Sequence, residues 1–546
     1  MAGTVRDSSA SLARGAAVMT IATAVSRVTG FVRVVVLAAA MGGTFLTNTY
    51  QTANTAPNVV FELVAAGVLT SIFVPTFVEY LVRGARDEGW DAANALTTMA
   101  LLGLTAISLL LALGAGPIMR LLTIGVADAD VRAREVELGA SFLRLFAPQV
   151  VFYGAGMIMT GALHAYRRFA LPAIAPIFNN VVVIAVYGTY AVMRAGRDPS
   201  LATITDGERW LLGAGTTMGV VAMTVCLVPQ LARLGWRFRF RFDASHPAVR
   251  KAARLGVWAL GYAGGYQAGL VVVLVLGNRV DGGVAAYQWA YTFFYLPHAL
   301  FAIPVFNALF PAMSEHAVKG DAAALVGRLR DGLAMLGFVL LPLAALLVAA
   351  AEPLARVTLR YGAMSAGDAD LVARVLVGFA LGLPAYSSFL VYTRAFYALG
   401  DTRTPTLVNV VAVALASAAG AVLFFALDDE WSVFGLSLGH SIGFTAGAVV
   451  LARAFARRAG ARGATLYRAS LLRSSVVSLA ALGAMLAAHA VVPDESHVAA
   501  FADLVVTAAA GAAVYVAAMR ALGSPELSKL VALAAPLRRR LGRAPG

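Results

Sequence analysis

The stretch GPIMRLL, residues 116–122, ends a long apolar run, and the related stretch EPLARVT ends another at residues 352–358. Pro117 and Pro353 in these two stretches are 236 residues apart. Three further pairs keep the same offset in chain order: Pro75 with Pro311, Glu79 with Glu315, and Pro148 with Pro384. Because several matches share one offset, we predict that the chain contains two duplicated halves.

The composition is that of a membrane protein. The chain has 546 residues, of which 60% are hydrophobic and only 13% are charged. Apolar runs of about 20 residues or more, each long enough to cross a bilayer, recur from end to end. We predict an all-α polytopic membrane protein with about 14 transmembrane helices. The predicted spans are 12–42, 47–82, 92–119, 134–163, 170–194, 209–234, 247–277, 283–314, 326–352, 369–398, 404–427, 432–456, 467–492 and 498–522.

The distribution of charge predicts the orientation. The net charge is +14, but the basic residues lie in alternate loops, so a nucleic-acid partner is not predicted. The loops around residues 167–168, 233–254 and 453–462 and the tail are basic, whereas residues 428–430 and 494–495 are acidic. Basic loops face the cytoplasm. We therefore predict a multi-pass membrane protein with both termini in the cytoplasm.

The spans and the repeat together predict the domain organisation. Each half contains six spans, and an even number of spans makes the two halves parallel repeats, an arrangement typical of transporters. Two extra helices follow the halves. The predicted boundaries are 1–11 for a cytoplasmic N-terminus, 12–235 and 246–457 for the two six-helix lobes, 467–522 for the two extra helices, and 523–546 for a basic cytoplasmic tail.

Two arginines lie inside the first apolar run. Arg27 is near its middle and Arg33 is nearer its outer end. An arginine at the centre of a bilayer costs at least about 2.5–3.5 kcal/mol, so it normally faces protein or a wet cavity. The other polar residues of this span, Ser26 among them, share one half of the helical wheel with both arginines, which favours a cavity.

The second span carries a matching polar face, formed by Gln51, Asn54, Asn58 and Glu62. If the first two spans form a hairpin that turns near residue 45, Arg27 lies beside Glu62 and Arg33 lies beside Asn58. Glu62 is then a counter-ion for Arg27, and Arg33 remains available for an anionic ligand such as a phosphate. The alternative interpretation is a fixed internal network that holds the hairpin together.

Motifs of other classes are absent from the sequence. There is no G-x-x-x-x-G-K-[ST] and no H-E-x-x-H, so neither an ATP-binding P-loop nor a zinc site of that kind is predicted. No cofactor, metal or catalytic residue is predicted, and the single cysteine, Cys226, excludes an intrachain disulfide.

Several stretches spread over most of the chain resemble one transporter family. They are SRVTGFVR (26–33), APNVVFELVAAGVLTSIFVPTF (56–77), ALHAYRRFALPAIAPIFNN (162–180) and TRAFYALGDTRTP (393–405). These stretches resemble the MurJ/MviN family of lipid II flippases, which shares a superfamily with multidrug exporters. The resemblance implies a V-shaped pair of lobes, a lipid groove formed by the two extra helices, and a cationic central cavity. The implied substrate is lipid II, the undecaprenyl-diphosphate-linked disaccharide-pentapeptide of peptidoglycan, and the implied location is the bacterial cytoplasmic membrane.

The resemblance also bears on individual positions. Arg27 and Arg33 match the two arginines of the family's first-helix motif, while Asn48 stands where an aspartate is common. Thr292 stands about where the family has an arginine of the eighth span. Phe61 and Glu62 stand where the family has a paired arginine. The helix after DTRTP lacks the residues that resemble sodium ligands in some members, so the coupling ion or potential stays open. Arg394, near an inner helix end, is a candidate for lipid head groups.

The leading hypothesis is therefore a flippase that moves lipid II from the inner to the outer leaflet by alternating access. The predicted protein is a transporter and not an enzyme. Its substrate contacts are predicted at Arg27, Arg33, Asn54, Asn58 and Glu62. Further candidates are Ser26, Asn48, Gln51, Thr292 and Arg394. The alternatives are export of another lipid-linked saccharide, multidrug export, and a scaffold for cell-wall assembly. Membrane lipids and proteins of cell-wall synthesis or division are candidate partners.

Overall fold

The structure is a computed structural model that describes residues 2–68, 86–236, 238–243, 264–265, 267–459, 464–492 and 496–532. Over these ranges the regular structure is helical, with no strand. The chain divides into two compact units, Met1–Ala285 with Tyr361–Ser365, and Ala286–Arg360 with Ala366–Gly546. The all-α class predicted from the apolar runs is confirmed.

The first unit contains ten helices among its described residues. They are α1 (Ala2–Met41), α2 (Phe45–Val68), α3 (Arg86–Leu113), α4 (Ala115–Leu122), α5 (Ala129–Phe146), α6 (Gln149–Ala165), α7 (Ala170–Met193), α8 (Asp206–Val225), α9 (Val228–Arg233) and α10 (Gln267–Gly277).

Ten longer helices follow in the second unit, and residues 525–532 are helical as well. The ten longer helices are α11 (Gly283–Pro297, whose first residues belong to the first unit), α12 (Ile303–Val318), α13 (Ala322–Ala349), α14 (Ala351–Leu359), α15 (Ala366–Ala380), α16 (Leu383–Ala398), α17 (Arg403–Ala426), α18 (Ser432–Ala459), α19 (Ala464–His489) and α20 (His497–Ala521). A π-helical turn, His298–Ala302, separates α11 from α12.

Local sequence signals fix several helix starts. Thr205 and Glu208 form a capping box at the start of α8, in which each side chain bonds the other residue's backbone N–H. Asp128 caps α5 by accepting hydrogen bonds from the N–H groups of Asp130 and Val131 at 2.8 and 3.0 Å. Such caps satisfy backbone donors that have no partner within the helix.

Eleven helices or helix pairs are long and apolar enough to cross a membrane, and a bent pair, α15 with α16, raises this number to twelve. These figures cover only the residues that the structure describes. The spans predicted at 47–82 and 247–277 lie partly outside those residues. A multi-pass membrane protein is confirmed, while the exact number of 14 spans stays a prediction.

The helix bounds repeat the offset seen in the sequence. Helix α13 begins and ends 236 residues after α3, and α14 begins 236 residues after α4. Pro117 and Pro353 are each the third residue of their short helix. The superposition of the two halves and the lobe boundaries at 235 and 246 stay predictions. The two compact units are defined by packing, whereas the predicted lobes are defined by the sequence offset, so the units do not test the lobes. The pair Pro75 and Pro311 cannot be compared, since Pro75 lies outside the described residues.

The two extra helices pack within the second unit. Phe338 on α13, Val477 and Ala481 on α19, and Tyr515 on α20 belong to one buried apolar cluster. The Tyr515 hydroxyl donates a hydrogen bond of 2.7 Å to the carbonyl oxygen of Phe338. Buried apolar contacts and this bond therefore tie α19 and α20 to α13.

Candidate functional site

Helix α1 lies against α7 along its polar side. The Asn180 amide of α7 donates hydrogen bonds to the Ser26 carbonyl oxygen at 3.2 Å and to the Thr29 hydroxyl at 3.0 Å. A Cβ atom on Gly30 would lie 3.6 Å from the same amide nitrogen. Ser26 thus contributes its backbone to helix packing, and Arg27, the next residue, is exposed at the surface of this unit.

Arg33 is half-buried and lies within electrostatic range of three tyrosines. They are Tyr50 on α2, Tyr153 on α6 and Tyr187 on α7. Within the described part of the chain, Arg33 forms no ion pair with an acidic residue. An arginine that forms no ion pair suits an anionic ligand, because the guanidinium can bind phosphate oxygens in a bidentate way.

One of these tyrosines, Tyr50, is held firmly by its neighbours. The Tyr50 hydroxyl is 3.0 Å from the Tyr187 hydroxyl and 2.6 Å from the Thr216 hydroxyl. Its ring meets Phe142 and Phe146 edge to face, with ring centres 5.5 Å apart in both cases. These contacts preorganise the surroundings of Arg33, because Tyr50 and Tyr187 are almost fully buried.

The polar face of α2 continues this network towards α6 and α8. Asn54 accepts a hydrogen bond of 3.4 Å from the amide of Gln149, which also donates to the Thr217 hydroxyl at 3.2 Å. Asn58 donates to the Asn54 carbonyl oxygen at 2.9 Å, one helical turn away. The Gln51 amide nitrogen is buried and has no hydrogen-bond partner within the described residues. The predicted face exists, and Asn54 is its best-connected member.

Glu62 and Arg27 are both exposed in this conformation. The hairpin arrangement predicts that the two side chains meet in at least one conformation. This pairing stays a prediction.

Asn48 has a structural role that excludes it from the proposed site. Its side chain is fully buried. Its amide nitrogen donates to the Val280 carbonyl oxygen at 2.8 Å, and its amide oxygen accepts from the N–H groups of Val284 and Ala285 at 3.1 and 3.3 Å. The side chain has thus no exposed polar atom for a ligand, so our interpretation of Asn48 as a substrate contact is not supported by its geometry.

The two remaining candidates belong to the second unit. The Thr292 hydroxyl donates to the Gln288 carbonyl oxygen at 3.0 Å, one turn earlier in α11. Arg394 is exposed, and its guanidinium carbon lies 6.0 Å from the ring centre of Phe310. A cation–π contact of this kind holds the arginine beside α12.

Sequence reasoning missed the tyrosines and Gln149. Tyr50, Tyr153 and Tyr187 lie in apolar runs where an aromatic residue predicts only packing. A usable signal for Tyr50 was its place four residues before Asn54, on the same face of α2. Within the described residues no group of three His, Cys, Asp or Glu side chains is arranged to hold a metal ion.

Comparisons with known proteins give the context of this site. A family model described as "Lipid II flippase MurJ" matches residues 37–507. A "Probable lipid II flippase MurJ" of Synechocystis sp. is 29% identical over 404 residues, 73% of each chain. One of the same description from Rhizobium tropici is 27% identical over 469 residues, 85% of this chain and 84% of the relative.

The fold has a counterpart among solved structures. The structure titled "Lipid II flippase MurJ, inward closed conformation" covers 92% of this chain and 99% of its own, with a TM-score of 0.73 and 19% identity. At this identity the likeness establishes a common fold and no more.

Proposed function

This chain belongs to the lipid II flippase MurJ family, and from that premise we propose that it moves lipid II from the inner to the outer leaflet of the cytoplasmic membrane. It acts as a transporter without a catalytic centre. The structural observation that carries the proposal is Arg33, a half-buried arginine within electrostatic range of three tyrosines and in no ion pair with an acid of the described residues. The match over residues 37–507 extends the argument from one site to most of the chain.

The chemistry of the substrate explains why such a site is needed. Lipid II has a diphosphate and a large sugar–peptide head group, which cannot enter hydrocarbon unaided, and a polyprenyl tail, which can. A polar cavity that opens to one leaflet and then to the other gives the head group a path while the tail stays in lipid. Arg33 binds the diphosphate, Asn54 and Asn58 offer amide hydrogen bonds, and Arg27 adds positive charge.

We extend the proposal to the organisation of the chain. The two halves, 12–235 and 246–457, act as the lobes of the transporter, and the extra helices within 467–522 accommodate the polyprenyl tail. The basic loops face the cytoplasm, which leaves both termini inside. The register of α3 with α13 and of α4 with α14 supports the duplication.

The direct test is depletion of the protein in its native host, with analysis of lipid-linked intermediates. Lipid II should accumulate in the inner leaflet, and translocation of labelled lipid II should return when the wild-type chain is restored. Accumulation of a different lipid-linked saccharide would identify that saccharide, and not lipid II, as the substrate. Unchanged lipid II distribution with disturbed wall synthesis would favour the scaffold hypothesis.

The multidrug alternative is separated by the sign of the ligand's charge. A cationic drug needs acidic residues in the cavity, whereas the described surroundings of Arg33 offer a cation and hydroxyl groups. We therefore expect purified protein to bind lipid II and to show no saturable binding of a cationic dye. The opposite result would favour drug export.

A further inference from the structure

Two glutamates among the described residues of the first unit are buried, and their surroundings differ. Glu208 on α8 is 2% exposed, receives a hydrogen bond from Arg197 at 2.6 Å and accepts another from the Thr205 N–H at 2.8 Å. Glu135 on α5 is 0% exposed, and one of its oxygens accepts a hydrogen bond of 3.2 Å from the Thr49 hydroxyl. Its other oxygen, Oε2, has no hydrogen-bond partner among the described residues.

The charges around Glu135 do not compensate an ionised carboxylate. Asp281, in the turn between α10 and α11, acts on Glu135 with a charge of the same sign, and the same turn carries the exposed Arg279. Helix α5 packs against α2, α3, α4 and α8. Each charged side chain that the structure describes on these elements is exposed or in an ion pair. The exposed ones are Asp128, Asp130, Arg132, Arg134, Glu137 and Arg144 on or beside α5, Glu62 on α2, and Arg120 on α4. The ion pairs are Asp91 on α3 with Arg241, and Asp206 with Arg209 and Glu208 with Arg197 at α8.

The location of Glu135 suggests how its access to water is controlled. Thr49, its hydrogen-bond partner, follows Asn48, which holds the backbone of Val280, Val284 and Ala285. In the same turn, a Cβ atom on Gly282 would lie 2.6 Å from the Gly43 carbonyl oxygen, so the two turns are in backbone contact. Glu135 therefore lies beside a region where α2 and the turn at 280–283 are locked together.

We propose that Glu135 is a proton-binding site, whose carboxyl group is protonated in this conformation and releases its proton to water when α2 and the 280–283 turn separate. An ionised carboxylate buried without a cation costs several kcal/mol, which protonation avoids. Releasing the proton leaves a carboxylate that water can solvate. A low pH on the side to which the turn opens therefore favours the locked conformation, since protons bind preferentially to that state.

The first experiment compares Tm values of the purified full-length chain in detergent and does not depend on transport. Glu135→Gln keeps the size of the side chain and cannot ionise. It should raise the Tm above the wild-type value at about pH 8 and leave it close to wild type at about pH 5, because an unfolded chain releases this proton above about pH 4–5. If Glu135→Gln has the wild-type Tm at both pH values, or a lower Tm than wild type at both, the proposal is overturned.

Glu208→Gln is the matched control, because it neutralises the other buried glutamate of the same unit. It should lower the Tm at both pH values, since Arg197 then loses its carboxylate. If Glu208→Gln and Glu135→Gln change the Tm in the same direction at about pH 8, the contrast between protonated and ionised glutamates is wrong.

The role of the proton in transport rests on the proposed function, so the second experiment separates the two. Labelled lipid II is followed in vesicles while the pH on one side is varied. Wild-type translocation should depend on that pH, and Glu135→Gln should translocate without this dependence. Failure of the wild-type chain to move lipid II rejects the proposed function, and the Tm comparison still decides the proton site. Equal pH dependence in both proteins rejects the proton site alone.

Discussion

Asn48 and Val280 are 232 positions apart in the sequence, yet the Asn48 amide nitrogen lies 2.8 Å from the Val280 carbonyl oxygen. The same amide accepts from two more backbone N–H groups, those of Val284 and Ala285. One fully buried side chain thus satisfies one backbone group in the connection between α10 and α11 and two in the first turn of α11. If the Asn48 side chain were removed, these three backbone groups would lose their partner. A buried polar group without a partner costs roughly 1–3 kcal/mol.

Asn48→Ala should therefore lower the Tm strongly, through loss of all three hydrogen bonds. Asn48→Asp should also lower the Tm at neutral pH, because the carboxylate keeps the two N–H bonds but places a buried negative charge against the Val280 carbonyl oxygen. Thermal unfolding in detergent measures both. Asn58→Ala is the control on the same helix, since the Asn58 amide bonds only within α2. If Asn48→Ala unfolds at the control's temperature, the three bonds do not stabilise the connection.

The sequence predicted the helices better than the contacts between them. Apolar runs identify spans because the bilayer imposes a length of about 20 residues, and the 236-residue offset reappears in the bounds of α3 and α13. The contacts of Asn48 were not predictable, since its partners are backbone atoms 232 to 237 positions away. The helical wheel placed Asn54 on a polar face, but it could not identify Gln149 as its partner.

Arg33→Ala should abolish translocation of lipid II while folded protein remains at the wild-type level. The reason is that Arg33 has no acid partner within the described residues, so its removal strands no buried charge. Arg33→Lys keeps the charge, loses the bidentate fork, and should retain part of the activity. Labelled lipid II in vesicles measures the rate, and size-exclusion chromatography measures folded protein.

Arg132→Ala provides the control for Arg33, because Arg132 is an exposed arginine of the same unit and lies outside the proposed site. It should leave translocation unchanged. Wild-type translocation by Arg33→Ala would remove the diphosphate role from Arg33. Equal losses in Arg33→Ala and Arg132→Ala would indicate a general requirement for positive charge.

Glu62→Gln tests the pairing with Arg27 predicted from the hairpin. Both side chains are exposed in this conformation, so the substitution should leave the free energy of unfolding within about 0.5 kcal/mol of wild type. If the pair forms in another conformation, Glu62→Gln slows translocation and Arg27→Gln added to it restores part of the rate. A double-mutant cycle on the rates gives the coupling. Additive losses would reject the pairing.

Asp401, in the connection between α16 and α17, combines a helix cap with an ion pair. Its carboxylate accepts hydrogen bonds from the Thr404 N–H at 3.0 Å and the Thr404 hydroxyl at 2.8 Å, and lies 2.6 Å from the Arg458 guanidinium. The cap should contribute more than the ion pair. Losing a cap costs about 0.5–2 kcal/mol, whereas the Arg458 side chain is 53% exposed and exposed pairs contribute about 0–1 kcal/mol.

At neutral pH, the single substitution Asp401→Ala should therefore lower the free energy of unfolding more than the single substitution Arg458→Gln. The N–H of Thr404, together with its hydroxyl and the Arg458 charge, holds the pKa of the Asp401 carboxyl below its usual range. This contribution is fully present above the unfolded-state pKa of about 3.9 and is lost as the pH falls through the lower folded-state pKa. The difference in Tm between wild type and Asp401→Ala should shrink on acidification through that window. A larger loss for Arg458→Gln, or a difference that grows on acidification, would mean that the cap does not act as described.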